Sequence, residues 1–164
     1  MSIHRTYLND ESATLAAGRE IGAILVAGTV IFLHGDLGAG KTTLTRGMLA
    51  ALGYAGRVKS PTYTLLEPYS FSRLDFYHFD LYRFRDEQEW HDAGFREHFN
   101  ERSVCVVEWP KKALRLLPAA DLDITLDVES QQEQPGRALT IAARSEQGSQ
   151  CLDQIRRAHA SSKR

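Results

Sequence analysis

The hydrophobic pattern in the first third of the chain predicts strands and helices in alternation. Residues 29–33 form a short, continuous run that is apolar and β-branched, which is typical of a buried parallel strand. Residues 42–52 place Leu44, Met48, Leu49 and Leu52 on one helical face. Upstream, residues 3–8 alternate weakly as a strand does, and residues 11–25 predict another helix.

The second half of the chain predicts more strands and an antiparallel hairpin. Residues 74–84 are aromatic-rich and strand-like, and residues 104–110 begin as a buried apolar strand. Residues 121–129 alternate apolar and polar side chains, and residues 137–144 do so less regularly. The Gln-, Pro- and Gly-containing residues 130–136 between them predict the turn.

No repeat and no linker divides the chain, so we predict a single domain over residues 1–164. Short helices are expected over residues 86–90 and 94–100, and another over residues 149–158. Residues 157–164 are predicted to be a loose tail. The length of 164 residues, with 43% hydrophobic and 25% charged residues, suits one globular core.

Composition and charge argue against several classes of protein. No apolar run approaches the roughly 20 residues that span a bilayer, and the chain does not open with a basic then apolar segment. Cys105 and Cys151 form no C-x-x-C pair, which argues against a disulfide framework or a zinc site. A cytoplasmic location without membrane contact is expected. The net charge of −1 argues against DNA binding and suggests that RNA is touched indirectly or weakly, through a partner.

The most informative stretch is Gly35–Thr42, which fits the phosphate-binding pattern G-x-x-x-x-G-K-[ST]. Its glycines allow positive φ angles and close approach to phosphate, and the helix N-terminus adds partial positive charge. Lys41 supplies a cation for the β- and γ-phosphates, and the Thr42 hydroxyl is the expected Mg²⁺ ligand. A glycine-rich turn without a ligand is the alternative.

The predicted strand before this motif and the predicted helix after it provide the context that the motif requires. We therefore predict an α/β fold of the P-loop NTPase type. Its central sheet is expected to be mostly parallel and flanked by helices, with the antiparallel hairpin near the C-terminus.

Two acids occupy predicted strand ends. Asp80 falls late in an aromatic strand, where a carboxylate needs a partner, and Glu108 ends a buried apolar run. Because ligands sit at the carboxyl ends of parallel strands, both acids are expected to face the motif. Glu108 is a candidate for holding Mg²⁺ through water or for orienting the attacking water. A structural Glu108 and an exposed strand-end Asp80 are the alternatives.

Other side chains keep more than one interpretation. Thr62 or Thr64 is a candidate γ-phosphate sensor, or both stabilise a proline-fixed turn. The turn near Glu11 either walls the adenine or covers the sheet edge. Trp109 either shields the site, serves as a docking surface or packs structurally. His78 is predicted to be a packed or edge histidine rather than a ligand.

The basic residues offer no clear catalytic candidate. Arginines that could reach the γ-phosphate, although surface pairing is favoured for each, are Arg73, Arg83, Arg85 and Arg96. A small basic patch of open role is formed by Lys111, Lys112 and Arg115. No arginine finger is evident within the chain.

The order of four stretches, residues 34–43, 59–65, 78–83 and 107–110, resembles the bacterial TsaE family, also called YjeE. The resemblance runs from about residue 8 to residue 143. It implies an ATPase required to form threonylcarbamoyladenosine at adenosine-37 of certain tRNAs. It also implies binding to the TsaD–TsaB pair, with ATP hydrolysis resetting that complex between turnovers.

The resemblance and the motif together give the expected site. Its cofactors are ATP and Mg²⁺. Residues expected to be catalytic are Lys41, Asp80 and Glu108. Residues expected to contact the nucleotide are Glu11, Leu37, Gly38, Ala39, Gly40, Lys41, Thr42, Thr43 and Asp80. Residues expected to hold the metal are Thr42 and Glu108.

The expected reaction is slow phosphoryl transfer from ATP to water, accelerated when a partner closes the site. A small-molecule kinase is one alternative, and it would need an acceptor pocket and a lid. A GTPase is ranked low because no Asn-Lys-x-Asp sequence occurs. A nucleotide-gated adaptor without essential hydrolysis remains open, because it would need the same loop.

Overall fold

The computed structural model describes residues 2–131 and 134–162. Within these ranges the chain forms a seven-stranded sheet with helices on both faces. The strands are β1 Ile3–Leu8, β2 Val30–His34, β3 Leu66–Ser70, β4 Asp75–Asp80, β5 Ser103–Glu108, β6 Leu122–Gln131 and β7 Gln134–Ala143. The helices are α1 Glu11–Ile24, α2 Lys41–Ala51, α3 Glu87–Asp92 and α4 Glu146–Ser162, with short 3₁₀ helices at Phe95–His98 and Pro110–Ala113.

The sheet has the order β1-β7-β6-β2-β5-β4-β3. Its four central strands, β6, β2, β5 and β4, are parallel. The pairs β1–β7, β6–β7 and β3–β4 are antiparallel and form the margins. The predicted α/β fold with a C-terminal hairpin is therefore confirmed, and its sheet is mixed because β7 and β3 run antiparallel to the central strands.

The carboxyl ends of the central strands meet at one edge of the sheet. Asp80 at the end of β4 is the register partner of Glu108 at the end of β5, and Leu33 of β2 is the partner of Glu108 on its other side. Every residue of β5 is buried, as expected of a parallel strand covered on both faces. This topology brings both candidate acids next to the loop that follows β2.

Helices α1 and α2 pack closely enough for their backbones to touch. A Cβ added at Gly18 would lie 2.2 Å from the Leu44 carbonyl oxygen, and one at Gly47 would lie 2.3 Å from the Leu15 carbonyl oxygen. Asp10 caps α1, because its Oδ1 accepts a 2.8 Å hydrogen bond from the Ala13 N–H. The close packing of α1 against α2 fixes the position of α2, and with it the loop at the N-terminus of α2.

The core has two layers, one on each face of the sheet. The larger layer packs α1, α2 and α4 against Ile31, Phe76 and Val106, among others. The smaller layer packs Trp90 of α3 against Phe79, together with neighbouring aromatic rings. No helix within the described residues is long and apolar enough to cross a membrane.

The chain end differs from the sequence prediction. Helix α4 runs from Glu146 to Ser162, so residues 157–162 are helical where a loose tail was predicted; residues 163 and 164 lie outside the described ranges. The hairpin strands extend to the pair Gln131 and Gln134, so most of the predicted turn belongs to strands. Residues 132 and 133 of that turn also lie outside the described ranges.

Candidate active site

The motif forms a glycine-rich loop, residues 35–40, between the end of β2 and the start of α2. Gly40 has a φ of 107°, and its carbonyl accepts the first helical hydrogen bond from the Leu44 N–H at 2.9 Å. The amides of residues 41–43 therefore precede the helical ladder and can bind an anion. A Cβ at Gly35 would lie 2.7 Å from the Leu126 carbonyl oxygen, so this position requires glycine.

Lys41 is a buried cation at the base of this loop. Its side chain is 6% exposed, and its Nζ donates to the Gly35 carbonyl oxygen at 2.6 Å. The same nitrogen lies 3.6 Å from Glu108 Oε1 and 4.1 Å from the centroid of the Trp109 ring. These contacts hold the ammonium beside the loop amides, where a phosphate oxygen could take the place of the carbonyl.

Glu108 is a buried carboxylate between two partners. Its Oε1 faces Lys41, and its Oε2 accepts a 2.6 Å hydrogen bond from Nε2 of the fully buried His78. Trp109 follows with a left-handed backbone, at φ 56° and ψ 49°. That conformation is uncommon for a bulky residue, and it turns the chain away from the sheet directly after the acid.

Asp80 lies beside Glu108 and is also buried. Its Oδ1 accepts a hydrogen bond from the Tyr82 N–H at 2.9 Å, and its Oδ2 accepts one from the Thr62 hydroxyl at 3.2 Å. Burial raises the pKa of Asp80 above its ordinary value, against the lowering effect of the Tyr82 N–H, and the charge of Glu108 raises it further. Two adjacent carboxylates in low-dielectric surroundings favour a cation between them.

These groups converge on one cavity of about 340 Å³, here called the acid-lined cavity. It is lined by the loop and the start of α2, and by Ser60, Thr62, Asp80, Glu108 and Trp109. Thr62 therefore lies at the site, linked also to Ser60 at 2.8 Å. Thr64 bonds instead to Glu67 at 3.2 Å and is not among the lining residues, which separates the two sensor candidates.

The oxygen groups of the acid-lined cavity suit Mg²⁺. Thr42, Asp80 and Glu108 all line it, and they offer one hydroxyl and two carboxylates. Mg²⁺ prefers such hard oxygen ligands and is commonly held by one or two carboxylates together with phosphate and water. Burial is the main cause of the raised pKa of Asp80 and the charge of Glu108 adds to it, and a bound cation would favour the ionised carboxylate against both effects.

A second cavity, of about 390 Å³, lies on the other side of the loop and is here called the hairpin-side cavity. It is lined by Leu8, Asp10, Glu11, Thr14, Gly38, Ala39, Gly40, Thr43, Pro135, Gly136 and Arg137. Glu11 is at its rim and forms an exposed 3.0 Å ion pair with Arg46. Of the predicted loop contacts, Leu37 lines the acid-lined cavity and is 68% exposed.

Sequence reasoning missed Arg137. From β7 its Nε donates to the Ala39 carbonyl oxygen at 2.7 Å, and its Nη2 donates to that of Gly38 at 3.1 Å. The hairpin therefore holds the outer side of the glycine-rich loop. A basic residue directly after Pro-Gly was a weak signal, and the strand order that places it here could not be read from spacing.

The chain matches known proteins in sequence and in fold. A sequence model of the family described as "Threonylcarbamoyl adenosine biosynthesis protein TsaE" matches residues 8–138. The tRNA threonylcarbamoyladenosine biosynthesis protein TsaE of Haemophilus influenzae is 46% identical over 126 residues, spanning 74% of this chain and 80% of that protein. The protein of the same name from Bacillus subtilis is 42% identical over 113 residues, spanning 69% and 70%.

The fold has a solved counterpart. The crystal structure of Bacillus subtilis YdiB matches with a TM-score of 0.81 and 28% sequence identity, covering 96% of this chain and 97% of that one. The family match spans most of the chain, and the relatives agree across more than two thirds of it. The chain therefore belongs to the TsaE family.

Proposed function

We propose that this chain is a Mg²⁺-dependent ATPase that serves threonylcarbamoyladenosine formation at adenosine-37 of tRNA. The assignment to this pathway is supported by relatives named tRNA threonylcarbamoyladenosine biosynthesis protein TsaE. The observation that carries the activity is the convergence of Lys41, Thr42, Asp80 and Glu108 on one cavity at a helix N-terminus. A triphosphate with a divalent cation is the ligand whose charges match this set.

In this proposal the loop amides and Lys41 bind the β- and γ-phosphates. The Lys41 ammonium exchanges the Gly35 carbonyl for a phosphate oxygen. Thr42 and Glu108 hold Mg²⁺, which supplies charge neutralisation on the phosphates. Asp80 or Glu108 orients the attacking water and accepts its proton, while the bond from the γ-phosphorus to the ADP oxygen breaks. Positioning and electrostatics provide most of the rate enhancement.

The adenine is assigned to the hairpin-side cavity. It adjoins Gly38, Gly40 and Thr43, so a nucleotide can place its phosphates on the loop and its base against Leu8 and Thr14. Such a pocket combines apolar walls with a few polar groups, as small-molecule sites do. Glu11 then lies at the edge of the base, in line with the prediction that the turn near Glu11 borders the adenine.

The proposed partner is the TsaD–TsaB pair, with tRNA touched indirectly or weakly. The described residues that line the acid-lined cavity include no arginine, so none of them can act as an arginine finger there beside Lys41. Leu37, which lines this cavity, is 68% exposed, and Tyr63, which follows the lining residue Thr62 in the chain, is 81% exposed; exposed apolar residues suit a protein contact. ATP hydrolysis by the chain without its partner is therefore expected to be slow. The proposed location is the cytoplasm.

The test measures ATP hydrolysis and multi-turnover tRNA modification, with and without the TsaD–TsaB pair. We expect the chain alone to hydrolyse ATP slowly and the TsaD–TsaB pair to accelerate hydrolysis. Multi-turnover tRNA modification should occur only with a chain that hydrolyses ATP. Fast hydrolysis that ignores the pair would contradict the partner assignment. Sustained modification by a variant that binds ATP without hydrolysing it would favour the nucleotide-gated adaptor.

One observation favours a second candidate, a small-molecule kinase. A third cavity, of about 460 Å³, is lined in part by Lys41 and Trp109. Its other lining residues include the acidic Asp36 and Asp127 and the basic Lys111 and Lys112. A phosphate acceptor could occupy it. Release of inorganic phosphate without any added acceptor would favour the ATPase, and strict dependence on an acceptor would favour the kinase.

A further inference from the structure

His78 lies behind the candidate acids and is unusual for its burial. Its side chain is fully buried in β4, two residues before Asp80. Nε2 lies 2.6 Å from Glu108 Oε2. Nδ1 is buried and has no hydrogen-bond partner among residues 2–131 and 134–162. The imidazole therefore has a single polar contact within these ranges, and that contact is Glu108.

The surroundings of His78 and the chemistry of its partner determine which atom donates in this hydrogen bond. Phe76 precedes His78 on the same face of β4, and Val106 is its register partner on β5; both belong to the larger apolar core. A carboxylate only accepts hydrogen bonds, so Nε2 carries the proton and donates it to Glu108. Nδ1 has no acceptor among the described residues, so the hydrogen bond from Nε2 is what fixes the ring relative to Glu108.

The consequence lies in the orientation of Glu108. With Oε2 held by His78, Oε1 is directed to the Lys41 side of the acid-lined cavity, 3.6 Å from the ammonium. We propose that His78 is a positioning residue, which fixes the Glu108 carboxylate so that one oxygen faces the metal and phosphate region. The effect on turnover rests on the proposed ATPase function, whereas the hydrogen bond itself does not.

Two substitutions separate positioning from packing. His78→Phe removes the donor and keeps an aromatic ring, whereas His78→Gln places an amide N–H where it can reach the same carboxylate oxygen. We expect His78→Phe to lower kcat by about 10-fold to 100-fold, the range typical of groups that orient metal ligands. The Kd for ADP should change less than about threefold, and His78→Gln should restore kcat to within about threefold of wild type.

The matched control is Val106→Ala, which removes core packing beside His78 without changing a hydrogen bond. It should lower Tm and leave kcat within about threefold of wild type. The proposal is overturned if His78→Phe keeps wild-type kcat, or if His78→Gln and His78→Phe lose turnover equally. It is also overturned if Val106→Ala reproduces the loss of turnover.

A measurement on the nucleotide-free protein tests the hydrogen bond without any activity. The ¹⁵N NMR signals of the His78 imidazole should report a proton on Nε2, the nitrogen that donates to Glu108. A proton on Nδ1 alone would overturn the proposal. Wild-type protein that hydrolyses no ATP even with the TsaD–TsaB pair would instead overturn the proposed function, and the NMR result would still decide the His78–Glu108 contact.

Discussion

The acid-lined cavity and the hairpin-side cavity lie on either side of the glycine-rich loop and have similar volumes but different side-chain chemistry. The acid-lined cavity, about 340 Å³, holds the buried charges of Lys41, Asp80 and Glu108. The hairpin-side cavity, about 390 Å³, is bordered by backbone, by exposed Glu11 and by half-buried Arg137. Burying a charge costs free energy. Among the residues that line the two cavities, the buried charges all lie in the acid-lined cavity, which is the one assigned to the triphosphate.

The difference follows from how each side is built. The acids stand at the ends of β4 and β5, two parallel strands in the centre of the sheet, where packing fixes their side chains. The hairpin-side cavity is bordered by β1 and β7, which pair antiparallel at the margin. Changes on the acid side should therefore alter turnover, whereas changes on the hairpin side should alter affinity for the nucleotide.

Removing the Lys41 ammonium should have the largest effect on ATP hydrolysis. Lys41→Ala is expected to lower hydrolysis by about 100-fold or more and to weaken ADP binding, because Lys41 contacts both the ground state and the transition state. It also leaves Glu108 buried with His78 as its remaining partner, so Tm should fall. Steady-state kinetics and titration calorimetry measure both. Exposed Lys112→Ala is the matched control, and equal losses in the two variants would contradict the role of Lys41.

Removing one negative charge should affect turnover alone. Glu108→Gln keeps the shape of the side chain and an oxygen that can accept from His78, so folding should be retained. We expect kcat to fall by about 100-fold while the Kd for ADP stays within about threefold. Pre-steady-state phosphate release and ADP titration test this split. Loss of ADP binding that equals the loss of kcat would indicate that Glu108 contributes to the ground state instead.

Asp80→Asn should lower turnover and raise stability together. The folded-state pKa of Asp80 is raised above the ordinary 3.8, chiefly by burial, so folding favours the protonated acid. This contribution is fully present below the ordinary value and is lost as the pH rises through the raised value. Near neutral pH the variant should therefore gain about 1 kcal/mol, which is about 2–4 °C in Tm. Turnover should fall by about 10-fold to 100-fold.

The dependence on pH distinguishes this effect from general repacking. The amide oxygen that Asp80→Asn leaves at this position can still accept from the Tyr82 N–H, so the local turn is kept. Thermal unfolding of both proteins near pH 8 and again near the ordinary pKa should show the stability gain shrinking in acid, where Asp80 itself becomes neutral. A gain that is the same at both pH values would contradict the electrostatic explanation.

Much of the acid side was predictable from local sequence. The glycine-rich loop follows a pattern whose spacing is dictated by phosphate geometry, and Glu108 closes an apolar run that could only be a buried strand. The parallel arrangement then places Asp80 beside it, because carboxyl ends share one edge. Thr62 and Thr64 could not be separated, since the choice depends on the turn of a proline-containing loop.

The hairpin side was less predictable because its contacts join distant parts of the chain. Arg137 and Ala39 are 98 positions apart and meet only through the strand order β7-β6-β2. The helical end of α4 was likewise missed, since residues near a chain end carry a weak hydrophobic period. His78 was predicted to be a packed or edge histidine, and its complete burial shows that it is packed; its bond to Glu108 could not be predicted without the register of β4 and β5.

Arg137 gives the smallest expected effect and the sharpest contrast with the acids. Its guanidinium donates to the Gly38 and Ala39 carbonyls, so Arg137→Ala should loosen the loop without touching the metal side. Because the group is partly exposed, we expect the Kd for ADP to rise by about fivefold, with kcat at saturating ATP within about threefold. Arg137→Lys should lie between, since one ammonium cannot reproduce the planar pair of donors. A fall in kcat with unchanged Kd would mean that the hairpin supports the chemistry itself.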